Sequence, residues 1–385
     1  MIAAKVIFWF AVIIFFYVYF GYCIFLYLLS LLRRKRVVID EKYKPDVTLV
    51  IAAYNEEGVI GNKIENSLKL DYPGDNLEII VFSDASSDST DEIVKTYIDK
   101  RVKLLRIEGQ RGKTYCQNEA VKIAKGEIIV FSDANSIYEP DAIHKLVRNF
   151  ADPSIGLVSG ELRYRKEKEA VEGERTYWRY DQSLKRLESK VSSLVTANGA
   201  IYAVRKDLYE PLTDYAISDF IEPLKIFQKG YRILYEPEAL AWEPTSEDPL
   251  KETRRRVRIV MRSVYSLLRD RTLLRLLNPL KYGVFSIQLL SHKLLRWFTG
   301  LFLIMIVITN VLLVNFGIFY QIILLIQGVV YILALWGFIS DEIIKRKAPK
   351  LSHIAYYFCL SCYTMIIGVY NAIMGKTIIT WKPIR

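Results

Sequence analysis

The chain has 385 residues, room for about two domains by length alone. Hydrophobic residues make up 52% and the formal charge is +11. The apolar excess sits in long uncharged blocks near both ends, which excludes an ordinary soluble enzyme and, with the basic residues lying beside those blocks, disfavours nucleic acid as the partner.

In chain order, Val6 to Leu32 carries no charge and is long enough for one membrane span. It is too long for a signal-peptide core and lacks a small-residue cleavage site, so it is read as a retained anchor, residues 1–36. Arg33, Arg34, Lys35 and Arg36 follow it; positive residues beside a span mark the cytoplasmic side. Residues 40–262 then alternate strand-like and helix-like runs. Val47–Ala52, Leu77–Phe82, Val102–Ile107 and Ile128–Phe131 read as strands, with helices expected at Glu57–Leu70, Asp88–Asp99 and Lys113–Ala124. This alternation predicts a doubly wound α/β domain. Gly156–Glu161 and Ile233–Tyr235 add strands, and residues 166–192 read as a charged helix. Ligands of open α/β sheets sit at the carboxyl ends of the strands, where Asp84 and Asp133 fall. Two carboxylates there can face one pocket, one for a sugar hydroxyl and one for a divalent cation.

Residues 263–297 mix basic and apolar residues and read as amphipathic helices in the cytoplasmic interface; the alternative is that 284–297 begin a tilted span. Trp297 to Ser340 is uncharged and fits two spans with a break near Asn315–Phe316–Gly317, and Ile354 to Gly375 fits a third, giving a membrane region over 298–376 and a tail at 377–385. The four cysteines imply no disulfide framework, and Cys359-x-x-Cys362 has no second pair to complete a metal site.

Several motifs occur in an order that resembles the membrane-bound inverting family-2 glycosyltransferases with a GT-A domain, a group that includes hyaluronan, cellulose and poly-N-acetylglucosamine synthases and ceramide glucosyltransferase. "AAYNEE" resembles the first nucleotide-contacting loop, which implicates Ala53, Tyr54 and Glu56. "SDASSDSTDEI" resembles the second, with Asp84 toward the nucleoside; Ser86 to Asp91 read as helix capping. "RGKTYCQNEA" resembles the Gly-Lys loop, with Lys113 at the diphosphate. "SDANS" stands where the family has D-x-D: Asp133 matches the first carboxylate, and Asn135 takes the second place as a neutral, weaker ligand for Mg²⁺ or Mn²⁺. "TANGAIYAVRKDLY" resembles the acceptor-side loop and helix, with Asn198 and Gly199 lining the sugar end. In "ISDFIEPLKIF", Asp219 aligns with the catalytic base. Its bland alternative is a helix cap.

"KETRRRVRIVMRS" replaces Q-x-x-R-W: Arg255 stands at the Gln, Arg258 at the Arg, and Ile259 at the tryptophan that contacts the acceptor sugar. A basic patch on anionic lipid is the alternative for the arginines. "TWKPIR" distantly resembles a tail motif of hyaluronan synthases. The resemblance implies a metal-dependent inverting hexosyltransferase of the cytoplasmic membrane with its catalytic domain in the cytoplasm. It would take a UDP-sugar donor and a lipid-linked or growing saccharide acceptor at the bilayer, with a homo-oligomer open. One or a few additions are expected because Ile259 cannot stack. The alternatives are a processive exopolysaccharide synthase and an inactive-transferase scaffold or transport subunit.

Overall fold

Uncharged β-branched runs form the centre of the molecule, as their pattern requires. The structure, a computed structural model, describes residues 1–98, 101–164, 172–244, 249–344, 346 and 348–378. The strands are β1 (Val47–Ala53), β2 (Leu77–Asp84), β3 (Val102–Ile107), β4 (Ile128–Asp133), β5 (Ile137–Tyr138), β6 (Ile155–Tyr164), β7 (Ile201–Arg205) and β8 (Arg232–Glu243). They form one sheet in the order β3-β2-β1-β4-β7-β6-β8-β5. β1 to β4 are mutually parallel where they pair; β7 runs antiparallel between β4 and β6. Every residue of β1 is buried. Leu49 and Ile51 face one core with the helix Ile60–Leu68, while Val50 and Ala52 face another with the helix Lys113–Ile123. Both faces are therefore covered, as a parallel sheet requires.

Local chemistry shifts some expected boundaries. The helix expected from Asp88 runs Thr90–Lys95, because Asp88 stays outside it and accepts the Thr90 N–H at 3.1 Å. The stretch after Gly199 is a strand, not a helix: Ile201, Tyr202 and Val204 suit the pleat and pair with β4. The charged helix spans Glu172–Val191, and the side chain of Tyr177 lies outside the described residues, as does the tail "TWKPIR".

Among the described residues, four helices are long and apolar enough to cross a membrane: Ile2–Leu32, Thr299–Phe316, Ile318–Ile343 and Lys350–Ile373. The expected break falls at Gly317, whose φ of 142° only glycine adopts readily. Phe8 and Ala11 of the first helix pack on Phe302 and Ile306 of the second. Helix Lys350–Ile373 packs through Met365, Val369 and Ala372 on Val260, Met261 and Val264 of the basic helix Pro249–Arg269. Gly368 is required there: a Cβ would stand 2.7 Å from Val260 and 3.1 Å from the Val257 carbonyl. Residues 271–297 form short helical turns, and their Leu273, Leu276, Phe285, Leu289 and Trp297 are buried with Phe220 and Leu224 of the helix Ser218–Gln228.

Candidate active site

Parallel register brings the carboxyl ends of three strands level. Ala53 of β1 pairs with Ser83 of β2, and Ala52 pairs with Asp133 of β4. The loops after β1 and β2 are latched together: Asn55 N–H donates to Ser86 Oγ at 3.1 Å, Glu56 N–H to Thr90 Oγ1 at 2.8 Å, and Glu57 N–H to Asp88 Oδ2 at 3.1 Å. Ala53 and Glu56 are buried beneath this latch, and Tyr54 Oη accepts from Gln110 Nε2 at 2.5 Å.

Asp84 is turned toward the Gly-Lys loop. Its Oδ1 accepts the Arg111 N–H at 2.7 Å and its Oδ2 the Gly112 N–H at 2.9 Å. Gly109, Gln110 and Gly112 all have positive φ, so the loop wraps tightly around that carboxylate. This aims Lys113, the first residue of its helix, at Asp133, with which it forms an ion pair.

The Asp133 loop is braced from beneath. Lys63, fully buried, donates from Nζ to the Ser136 carbonyl at 2.5 Å and lies 3.8 Å over the Tyr138 ring. Burial lowers its pKa to about 7, against the pull of Asp133 and Glu243. Glu243 ends β8 and accepts from Ser136 Oγ. Burial raises its pKa first, Asp133 adds to this, and Arg255 and Lys113 oppose it. Asn135 is half-buried on the same loop.

Asp219 is the second residue of the helix Ser218–Gln228 and is partly exposed to the cleft. Its main-chain carbonyl accepts the Ala197 N–H at 2.7 Å, which ties it to the segment holding Asn198 and Gly199. Asn198 in turn donates its N–H to Ser159 Oγ at 2.9 Å. Gly199 faces the Asp219 carboxylate so closely that a Cβ would stand 3.1 Å from Oδ2. Burial raises the pKa of Asp219; Lys113 and Lys293 pull it down, and Asp133 pushes it up. Asp133, Lys113 and Asp219 thus act on one cleft.

The basic helix contributes Arg255, Arg258 and Arg262 at intervals of three and four residues, one helical face. Burial lowers the pKa of Arg258, with Arg255 adding and Asp133 opposing, so Arg258 shares the Asp133 field. Ile259 is 39% exposed. Arg262 was not singled out by motif. It is buried and donates to the Tyr215 and Asp214 carbonyls, each at 3.0 Å, and to Thr114 Oγ1 at 3.2 Å. It fixes the loop that leads into Asp219; the spacing from Arg255 and Arg258 was its one sequence signal. Glu243, Lys63 and Lys293 were not singled out for the site from the sequence.

A divalent cation would meet hard oxygen donors here: the Asp133 carboxylate, the Asn135 amide and the nearby Glu243. Among the described residues no three His, Cys, Asp or Glu converge on a cation. One or two carboxylates completed by substrate phosphate oxygens are the usual set for Mg²⁺, so the residues fit such an ion once a diphosphate is bound.

The profile of glycosyl transferase family 2 matches residues 48–212. The poly-beta-1,6-N-acetyl-D-glucosamine synthase of Staphylococcus aureus (strain MSSA476) is 29% identical over 249 residues, 63% of this chain and 60% of that protein. The Staphylococcus epidermidis protein of the same name is 29% identical over 232 residues, 58% of this chain and 56% of the relative. The matched region thus spans about 60% of the length of these relatives. A mannosyltransferase, PcManGT from Pyrobaculum calidifontis, solved with GDP-Man and Mn²⁺, superposes with a TM-score of 0.74 at 23% identity, over 97% of this chain and 99% of that one. That likeness is one of fold and runs through the apolar helices. Residues 48–212 therefore match glycosyl transferase family 2, on a GT-A fold joined, among the described residues, to four helices long and apolar enough to cross a membrane.

Proposed function

We propose that this protein is a membrane-integrated inverting hexosyltransferase. It moves a hexose or N-acetylhexosamine from a nucleotide sugar, a UDP-sugar first, to a lipid-linked or saccharide acceptor at the cytoplasmic membrane face. The observation that carries this reading is the convergence of Lys113, Asp133, Asp219 and Arg258 on one cleft at the carboxyl ends of β1, β2 and β4. The nucleoside lies against Ala53, Tyr54, Glu56 and the loop held by Asp84. Lys113 and the start of its helix meet the diphosphate. Mg²⁺ or Mn²⁺, held by Asp133 with Asn135 and Glu243 at hand, offsets the diphosphate charge when bound.

Asp219 takes the proton of the acceptor hydroxyl. The acceptor oxygen bonds to the anomeric carbon as the bond from that carbon to the diphosphate oxygen breaks on the opposite face, so the configuration inverts. Arg255 and Arg258 stabilise the departing diphosphate with charge-assisted hydrogen bonds. Asn198 and Gly199 border the transferred sugar. The raised pKa of Asp219 suits a base, since it strengthens the carboxylate's proton affinity.

Ile259 cannot stack on a sugar, which supports one or a few additions. The staphylococcal relatives are named as polymer synthases, which supports the processive alternative. Incubating purified full-length protein in membranes with a panel of UDP- and GDP-sugars tests both points. The proposal expects nucleoside diphosphate release with short products. A ladder of tens of sugars on one acceptor would establish processivity, and no release from any donor would refute transfer.

A further inference from the structure

Immediately after the first apolar helix the chain carries four cations in succession, Arg33 to Arg36. A solvated tail would scatter them. Here main-chain ties hold the segment on the catalytic domain. Lys35 N–H donates to the Lys190 carbonyl at 3.0 Å, Arg232 Nη1 to the Arg36 carbonyl at 3.1 Å, and Val38 N–H to Asp152 Oδ2 at 3.2 Å. The helix Glu172–Val191 brings Arg186 and Lys190, one turn apart, to the same place. It is anchored to the first apolar helix by Tyr180 Oη donating to the Tyr19 carbonyl at 2.9 Å, and by Tyr22 Oη donating to Glu188 Oε1 at 2.5 Å.

The result is a cavity of about 840 Å³, within the scale of small-molecule sites. Arg34, Lys35, Arg36, Arg186 and Lys190 line it, and among the described residues no carboxylate does. Glu161, which pairs with Arg186 at 2.9 Å, is already shared with Arg163 at 2.7 Å and with Tyr235 Oη at 2.9 Å. Burial lowers the pKa of Lys35, and Arg232 and Arg33 push it the same way, as expected of crowded cations. Val37, Leu234 and Pro237 add an apolar wall. Leu31 and Leu32, 66% and 87% exposed, end the apolar helix just before the cations, so the cavity lies where hydrocarbon would give way to headgroups. It shares no residue with the cleft around Asp133 and Asp219.

We propose that this cavity binds the headgroup of an anionic phospholipid. The phosphate sits among Arg34, Arg36 and Lys190, and the glycerol part lies against the apolar wall. Charge-assisted hydrogen bonds to phosphate and the attraction of juxtamembrane cations to anionic lipid both favour this occupant.

Native mass spectrometry of the full-length protein, titrated separately with phosphatidylglycerol, phosphatidylcholine and inorganic phosphate, tests the proposal. The wild type should hold one phosphatidylglycerol more tightly than phosphatidylcholine. Removing one cation should weaken it roughly fivefold, and the combined Arg34→Gln, Arg36→Gln, Lys190→Gln variant on the order of 100-fold. A charge-matched control, Lys69→Gln, Lys95→Gln, Lys125→Gln, alters exposed lysines elsewhere and should bind as the wild type does. If the triple variant does not fold, the single Lys190→Gln at an exposed position carries the same test. Undiminished phosphatidylglycerol binding in the folded variant would overturn the site. So would an equal loss in the control. Inorganic phosphate binding as tightly as the lipid would assign the cavity to a soluble anion and overturn the headgroup.

Discussion

Gly199→Ala tests whether the Asp219 carboxylate stands at the reacting atoms. Gly199 is not among the glycines with positive φ, so alanine brings no backbone strain. Its Cβ would stand 3.1 Å from Asp219 Oδ2 and 3.6 Å from Cγ, where ordinary contact begins near 3.4 Å. The carboxylate must therefore retreat by about 0.3 Å. A misplacement of about 1 Å costs on the order of 100-fold in rate, so a third of that distance corresponds to a fall of roughly three- to tenfold. The assay is nucleoside diphosphate release at saturating donor and acceptor, alongside calorimetric donor binding and a thermal melt. The expected result is a lower kcat with donor Kd and Tm unchanged. An unchanged kcat, or a loss of donor affinity that matches the loss of rate, would refute the reasoning.

Asp133→Ala should abolish metal-dependent donor binding, whereas Asn135→Asp should be tolerated; activity that survives EDTA would contradict the metal role. The acid limb of the kcat/KM profile should lie above 3.8, the ordinary aspartate value, because burial raises Asp219 and transfer needs it ionised. Glu222 is buried against Tyr202, whose Oη donates to it at 3.0 Å, and burial raises its pKa to about 8. Its proton is bound more tightly in the folded than in the unfolded chain. Its contribution to stability is therefore complete below about 4.5 and is lost as pH rises through about 8. Glu222→Gln should flatten that decline in a pH series of thermal melts; an unchanged slope would assign it elsewhere.

The sequence carried the sheet where burial is two-sided, because Leu49–Ala52, Ile79–Phe82 and Ile128–Phe131 leave no polar face to be misread. The apolar helices were legible for the same reason, and the break came from Gly317. Lys113, Asp133 and Asp219 were legible because each sits in a short motif next to a strand end or helix start. What escaped was set by packing between distant segments. Lys63 lies among Ile60 and Ile64 on the buried face of its helix, where periodicity leads one to expect an apolar residue. Glu243 reaches the Asp133 loop, through Ser136, only because β8 pairs with β5, the strand that follows that loop. β7 was hidden in a stretch read as loop and helix, since its short run borrows its stability from β4 and β6. Asp84 was visible as a strand-end carboxylate. That its oxygens accept the Arg111 and Gly112 N–H groups depended on a loop 27 residues away.

Asp219→Asn measured in parallel for donor binding and for sugar transfer is the most direct test of the account. The substitution keeps the side chain's size and its place beside Gly199 while removing its ability to take a proton. Donor binding should stay near the wild-type value while transfer falls by roughly two or more orders of magnitude, the scale of a positioned base. Transfer at a near-normal rate in the Asn variant would contradict Asp219 as the base and the reaction built around it.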